Sequence, residues 1–148
     1  MSKKADKKAP KIAPGNTPFI ERRPRAKAIS NQGKKPAWTF NLIDFDGPWC
    51  PKTMNQELFL SVLTKLCEFE SMTWGEIEGA KSHSVEIWML GKQAQDRLII
   101  IKQDDISELF SLRLSGRERV WGIRDGYVFR LLWWDPEHKV YPVQKKHI

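Results

Sequence analysis

Three apolar segments near the C-terminal end, separated by glycine-containing turns, limit the fold more than any other feature of the chain. The segments run over 109–114, 118–124 and 127–134, with Ser115-Gly116 and Asp125-Gly126 between them. Asp-Gly between two apolar runs is a strong hairpin signal, because both residues tolerate positive φ. The pattern predicts a three-stranded antiparallel meander, which Asp135-Pro136 is expected to end.

Two capping patterns predict helices before the meander. Thr53, with Gln56 three residues later, precedes apolar residues that recur at helical spacing, so one face of this helix should pack on a core. Thr73 with Glu76 repeats the capping pattern and predicts a short second helix that ends near Gly79. The first of these two helices is expected to be scaffold rather than part of a site.

The remaining elements complete an α+β fold. A short strand through 38–43 should open the domain, and 92–102 favours a third helix, although its isoleucine run at 99–101 also suits a strand. The segment 81–91 stays unassigned. The expected architecture is an N-terminal strand and two to three helices packed on the C-terminal three-stranded antiparallel meander.

The basic charge is confined to the N-terminal arm. Residues 1–36 carry eleven Lys or Arg and two acidic residues, a net charge of +9, whereas 37–148 carry 14 basic and 16 acidic residues, a net charge of −2. The arm also holds five of the nine prolines, and such a composition predicts disorder. We therefore expect a disordered arm over 1–36 and a single α+β domain over 37–148. The arm either contacts nucleic acid or the ribosome, or serves as a solubilising tail or address signal.

Several functional classes find no support in the sequence. No apolar run approaches the length of a membrane helix, and no apolar stretch follows the basic N-terminus as in a secretory signal, so a cytoplasmic location is expected. The two cysteines are too few for a disulfide scaffold, and there is no phosphate-binding glycine loop, nucleophile elbow or metal motif. No metal, cofactor or membrane partner is expected.

The assumed turns assign the meander side chains to two faces. Two-residue loops at Ser115-Gly116 and Asp125-Gly126 set Phe110 opposite Trp121 and Arg124 opposite Tyr127. One face is then the core. The other mixes aromatic and guanidinium groups, a composition that binds single-stranded RNA, and it is the candidate ligand face. The alternative is that its aromatic residues pack against other segments of the chain or against a partner protein. Its members are Leu109, Ser111, Arg113, Val120, Gly122, Arg124, Tyr127, Phe129, Leu131 and Trp133.

A polar cluster follows the last strand and includes His138, Lys139, Tyr141 and Lys145. Histidine can transfer protons near neutral pH, and neighbouring cations can neutralise a pentacovalent phosphate. RNA cleavage is therefore chemically feasible here. The alternative is that His138 is an ordinary surface residue.

The order of strand, helices and meander, with a His/Tyr-containing tail, resembles the RelE/ParE-like toxins of bacterial toxin–antitoxin systems. The segments Leu109-Phe110-Ser111-Leu112-Arg113-Leu114 and Trp133-Trp134-Asp135-Pro136-Glu137-His138-Lys139-Val140 also resemble a bacterial family of small uncharacterised proteins. The likeness covers 38–148 in architecture and about 109–147 in motifs. Members of the superfamily cleave mRNA on the ribosome or bind a protein target such as gyrase.

The resemblance implies a metal-independent endoribonuclease toxin, with an antitoxin as partner. Arg113, with Arg124 beside it, would hold the scissile phosphate, and His138 or Tyr141 would transfer protons. The residues expected to bind nucleic acid are Arg117, Arg119, Tyr127, Phe129, Arg130, Lys139 and Lys145. Two alternatives stay open: a non-catalytic module that binds RNA, the ribosome or a protein, and an accessory protein whose aromatic face is an oligomer interface.

Overall fold

The computed structural model describes residues 31–142. The strands are β1 (Ala37–Thr39), β2 (His83–Glu86), β3 (Glu108–Ser115), β4 (Glu118–Asp125) and β5 (Val128–Asp135). The helices are α1 (Gln56–Glu70), α2 (Trp74–Gly79) and α3 (Lys92–Ile100). Short 3₁₀ turns lie at Pro51–Thr53 and Ile87–Met89. Apart from 31–36, the predicted basic arm lies outside the described residues.

The strands form one mixed sheet in the order β1-β5-β4-β3-β2. The three meander strands pair antiparallel at its centre, as predicted. At one edge β1 runs parallel to β5, and at the other edge β2, from the unassigned segment, pairs antiparallel with β3. The α+β class and the meander are thus confirmed, and the sheet is two strands wider than the meander alone.

Helices α1 and α2 each begin directly after a residue whose side chain caps the helix. The prediction that Thr53 caps α1 was wrong, because Thr53 lies in the preceding 3₁₀ turn and donates its hydroxyl to the Cys50 carbonyl at 3.2 Å. Asn55 is the cap instead, and its Oδ1 accepts from the Leu58 N–H at 2.8 Å. The capping box of α2 is confirmed, since Thr73 Oγ1 accepts from the Glu76 N–H and the Glu76 carboxylate accepts from the Thr73 N–H.

Both faces of the sheet are covered by other parts of the chain. Helices α1 and α2 pack on one face, the helix side, with Leu66 and Trp74 in the core. Helix α3, Trp49 and Val140 pack on the other face, the cleft side, against Trp121 and Trp133. The prediction of an exposed aromatic ligand face on the meander was wrong, because residues assigned to it, such as Phe129, are fully buried.

The strand register differs from the prediction because each hairpin loop begins at its glycine. Gly116 and Gly126 adopt φ values of +49° and +68°, so Ser115 and Asp125 remain paired in their strands. Each loop therefore starts one residue later than expected, and each hairpin contains a register shift: one lies between Arg113 and Ser115 in β3, and the other beside Trp121 and Gly122 in the β4–β5 pair. Phe110 pairs with Gly122 rather than Trp121, and Arg124 pairs with Phe129 rather than Tyr127.

Candidate functional site

A basic cleft opens on the cleft side, where β2, β3 and β4 meet the tail that follows β5. It has a volume of about 380 Å³, and among residues 31–142 none that lines it is acidic. This concentration of positive charge is local, since residues 37–148 carry a net charge of −2. The lining residues are Lys81, His83, Ser111, Arg113, Arg119, His138 and Tyr141.

Two arginines face each other in this cleft. Arg113 on β3 is the cross-strand partner of Arg119 on β4. Arg119 donates from Nη1 to the carbonyl oxygens of Gly116 at 2.7 Å and Glu118 at 3.1 Å. Burial, with a smaller effect from the charge of Arg113, lowers the pKa of the Arg119 guanidinium. Among residues 31–142, neither guanidinium forms an ion pair with a carboxylate. Two like charges placed opposite each other in a sheet repel, and an anion between them would remove that cost.

A buried carboxylate shapes the turn that carries His138. Asp135 is 0% exposed, and its two oxygens accept from the Trp121 indole at 3.1 Å and from the Lys139 and Val140 N–H groups at 2.8 and 3.0 Å. His138 lies inside this loop with a φ of +61°, a conformation that costs energy for a side chain with a Cβ. Asp135 therefore fixes the backbone from which the imidazole enters the cleft.

Three side chains in the cleft can exchange protons. His138 and Tyr141 have ring centroids 6.2 Å apart, and His83 lies on β2 opposite Ser111. The His83 Nδ1 is 3.1 Å from the carbonyl of Ser84, which leaves the other ring nitrogen for a ligand. The His138 Nδ1 is buried without a hydrogen-bond partner among the described residues. Imidazole groups beside arginines can accept and return a proton while the guanidinium groups stabilise a charged phosphate.

A second depression adjoins the cleft and shares Arg119 and His138 with it. Its volume is about 740 Å³. The N-terminal end of α3 opens on it through Gly91 and Lys92, and within the described part of the chain Glu137 is the one acidic residue that lines it. The other residues that line it are Gln93, Arg117, Lys139 and Pro142.

The structure brings together part of the predicted site. Arg113, His138 and Tyr141, the expected phosphate ligand and proton-transfer groups, line one cleft, together with Arg119. Arg117 and Lys139, expected to bind nucleic acid, line the adjoining depression. Lys145 lies outside the described residues.

Arg124 is not part of this cleft. It was expected beside Arg113, but it lies on the helix side, where its guanidinium carbon is 4.0 Å from the Trp74 ring centroid and it pairs with Glu78. The one-residue shift in register places it there. Its contacts are those of a residue that holds α2 on the sheet.

The other predicted aromatic and basic residues lie away from the cleft. Phe129 is 0% exposed, so it cannot stack on a base. Tyr127 is 43% exposed in the second hairpin loop, with Lys34 Nζ 5.3 Å from its ring centroid. Arg130 forms an exposed ion pair with Asp125 at 3.4 Å. These positions belong to the far end of the β4–β5 hairpin.

Sequence reasoning missed Lys81 and His83, because the segment that holds them had no assigned structure. The alternation of Val85 and Ile87 with polar residues was the available signal for a strand. Pairing of that strand with β3 is what carries His83 to the cleft.

No family model, curated protein or solved structure shows a significant match to the chain. Within 31–142, no three His, Cys, Asp or Glu side chains form a group that could hold a metal ion. No helix in that range has the length and apolar character needed to cross a bilayer.

Proposed function

We propose that the protein binds the phosphodiester backbone of RNA in the basic cleft and cleaves it, as a RelE/ParE-like toxin of a toxin–antitoxin system. The observation that carries the proposal is the convergence of Arg113 and Arg119 with His83, His138 and Tyr141 in one cleft that no acidic residue of the described range lines. Arginine pairs are suited to hold a phosphate, because guanidinium groups bind its oxygens in a planar, charge-assisted geometry.

The cleft contains groups for each step of 2′-hydroxyl attack. One imidazole accepts the proton of the ribose 2′-hydroxyl, and the oxygen forms a bond to phosphorus. Arg113 and Arg119 stabilise the additional negative charge of the pentacovalent phosphate. The bond to the 5′-oxygen then breaks, and a second group donates a proton to that oxygen, which leaves a 2′,3′-cyclic phosphate and a 5′-hydroxyl. His138 and His83 are the proposed pair, with Tyr141 beside His138.

The architecture supports the toxin proposal in two respects. The helices α1 and α2 precede the meander, and the tail after the last strand carries His138 and Tyr141 to the arginine on the first meander strand. This is where the resemblance places the phosphate ligand and the proton-transfer groups. The basic arm, with its charge of +9, would add a long-range attraction to RNA or to the ribosome.

The test measures the growth of bacteria that express the protein and the chemical ends of any RNA that the purified protein cleaves. Wild type, Arg113→Gln and His138→Ala are induced in a bacterial host, and the purified full-length proteins are incubated with RNA and with translating ribosomes. Arg130→Gln is the matched control, because it removes an arginine from the same sheet outside the cleft.

We expect growth arrest and RNA fragments with 2′,3′-cyclic phosphate ends with wild type and Arg130→Gln, and neither with the two cleft variants. If the protein binds RNA in an Arg113-dependent way but never cuts it, a non-catalytic binding module replaces the endoribonuclease as the proposed function. Equal activity of Arg113→Gln and wild type would overturn the site.

A further inference from the structure

We infer that the depression next to the cleft is a second phosphate subsite, so that the ligand is an RNA strand with at least two consecutive phosphates rather than a single nucleotide. The inference rests on the proposed function, since it assumes that Arg113 and Arg119 hold the first phosphate. It assigns Lys92, Arg117 and Lys139 to the second phosphate.

The two depressions form one continuous surface. Arg119 and His138 line both of them, so a strand bound at Arg113 can pass these residues into the neighbouring space. That space, about 740 Å³, is nearly twice the volume of the cleft and exceeds what one phosphate group requires. A cleft that continues into a space of this volume can hold a polymer.

The lining of the second depression is also suited to an anion. Lys92 and Lys139 are exposed, and among residues 31–142 the one ion pair of Lys92 is an exposed pair with Asp96, at 3.2 Å. Glu137 is 3.7 Å from Arg117, with both side chains more than half exposed. Exposed pairs of this kind contribute little energy, so Arg117 and Lys92 can exchange them for a phosphate.

The N-terminal end of α3 adds the positive end of a helix dipole to these side chains. Gly91 is the N-cap, makes no side-chain capping bond, and is held by its N–H to the Val140 carbonyl at 2.9 Å. The first turn of α3 contains no acidic residue. The positive end of the helix dipole thus supports the basic side chains at the same surface.

The experiment compares two uncleavable probes that differ by one nucleotide and therefore by one internal phosphate. These are a 2′-deoxy dinucleotide with one internal phosphate and a trinucleotide with two, both without terminal phosphates. Full-length wild type, the double variant Lys92→Gln/Lys139→Gln, Arg113→Gln and the control Lys65→Gln are titrated at several salt concentrations. Lys65 is a lysine on α1, outside both depressions, with a side chain 39% exposed.

We expect wild type to bind the two-phosphate probe about tenfold more tightly than the one-phosphate probe. The double variant should lose this difference, with its log–log salt slope for the longer probe reduced by about 0.7, the value for one phosphate contact on a single strand. Lys65→Gln should behave as wild type. Because the basic arm is common to all four proteins, its contribution cancels in the comparison.

Each alternative result has a defined meaning. Equal affinity of wild type for both probes, or an unchanged double variant, overturns the second subsite; Arg113-dependent binding of the short probe would then leave the proposed function standing. Failure of wild type to bind either probe overturns the proposed function and this inference together.

Discussion

Arg113 on β3 lies directly opposite Arg119 on β4, with no ion-pair partner for either guanidinium among the described residues. Cross-strand like charges destabilise a folded sheet, and here the buried Asp135 carboxylate, opposite Arg119 on β5, offsets part of the charge. Arg119 is, in addition, partly desolvated, which lowers its pKa. The remaining repulsion between the two arginines is a cost that an anion bound between them would remove.

Replacement of Arg113 by Gln should separate stability from binding. We expect the free energy of unfolding in urea to stay the same or rise by up to about 1 kcal/mol, because the repulsion is removed. The affinity for RNA should fall about tenfold or more, because a charge-assisted contact is lost. In wild type, inorganic phosphate should raise Tm by mass action, and in the variant much less.

Arg130→Gln is the control for this measurement. It removes an exposed pair with Asp125, so both its stability and its RNA affinity should stay near those of wild type. A loss of more than about 1 kcal/mol in Arg113→Gln would instead assign Arg113 a structural role.

Asp135 is expected to act as a positioning residue. Asp135→Asn loses one of the two oxygens that accept from Trp121, Lys139 and Val140, so the turn around His138 should loosen. We expect a stability loss of about 1–3 kcal/mol. If RNA cleavage is established, kcat should fall at least tenfold while KM changes little, because the arginines remain in place.

Two further variants make the Asp135 test specific. Trp121→Phe removes one of the donors to the same carboxylate and should give a smaller kcat loss. Asp44→Asn lowers stability elsewhere in the fold and should leave kcat unchanged at a temperature where the protein is folded. A parallel rise in KM for Asp135→Asn would mean that the whole cleft had collapsed.

Local patterns predicted the elements of this fold well. The strands of the meander, the capping box at Thr73 and the helix that begins at Lys92 each depend on near neighbours in the sequence. The resemblance to RelE/ParE-like toxins named Arg113, His138 and Tyr141 as site residues, and in the structure these three line one cleft.

Local sequence patterns could not predict the pairing register of the meander strands. The Gly126 loop and the bulge beside Gly122 depend on packing around the sheet: a Cβ at Gly122 would lie 2.5 Å from Cζ of Phe129. A one-residue shift reverses the face of every side chain in a strand. Arg124 was therefore assigned to the wrong face, and the edge strand that brings in His83 needed its tertiary partner to be recognised.

Arg124 should prove to be a structural residue. Its side chain is 17% exposed, and its guanidinium stacks on Trp74 and pairs with Glu78, which links β4 to α2. Arg124→Met keeps much of the aliphatic volume but leaves the Glu78 carboxylate without this partner. We expect a loss of about 1–3 kcal/mol in urea unfolding and an unchanged RNA affinity for the folded protein. A loss of RNA affinity in Arg124→Met with an unchanged free energy of unfolding would instead assign Arg124 to RNA binding.

Asp44 should make the stability of the fold sensitive to acid. Its carboxylate, 3% exposed, accepts from Arg97 Nε and Nη2 at 2.8 and 2.7 Å and from the Trp133 indole at 2.9 Å. The hydrogen bond from Arg97 is the main cause that lowers the pKa of Asp44 below its ordinary value of 3.8. Because the folded protein binds this proton more weakly than the unfolded chain, the stabilisation is fully present above pH 3.8 and is lost as the pH falls through the lower, folded pKa.

Asp44→Asn should remove this acid-dependent contribution. We expect a loss of about 3–5 kcal/mol at neutral pH, since Arg97 stays largely buried without its partner, and a smaller further loss below pH 3.8 than in wild type. The measurement is urea unfolding between neutral pH and pH 3. Asp96→Asn is the matched control, because it breaks an exposed pair with Lys92 and should follow the wild-type curve. Parallel curves for wild type and Asp44→Asn at every pH would show that the Asp44–Arg97 pair does not determine the acid sensitivity.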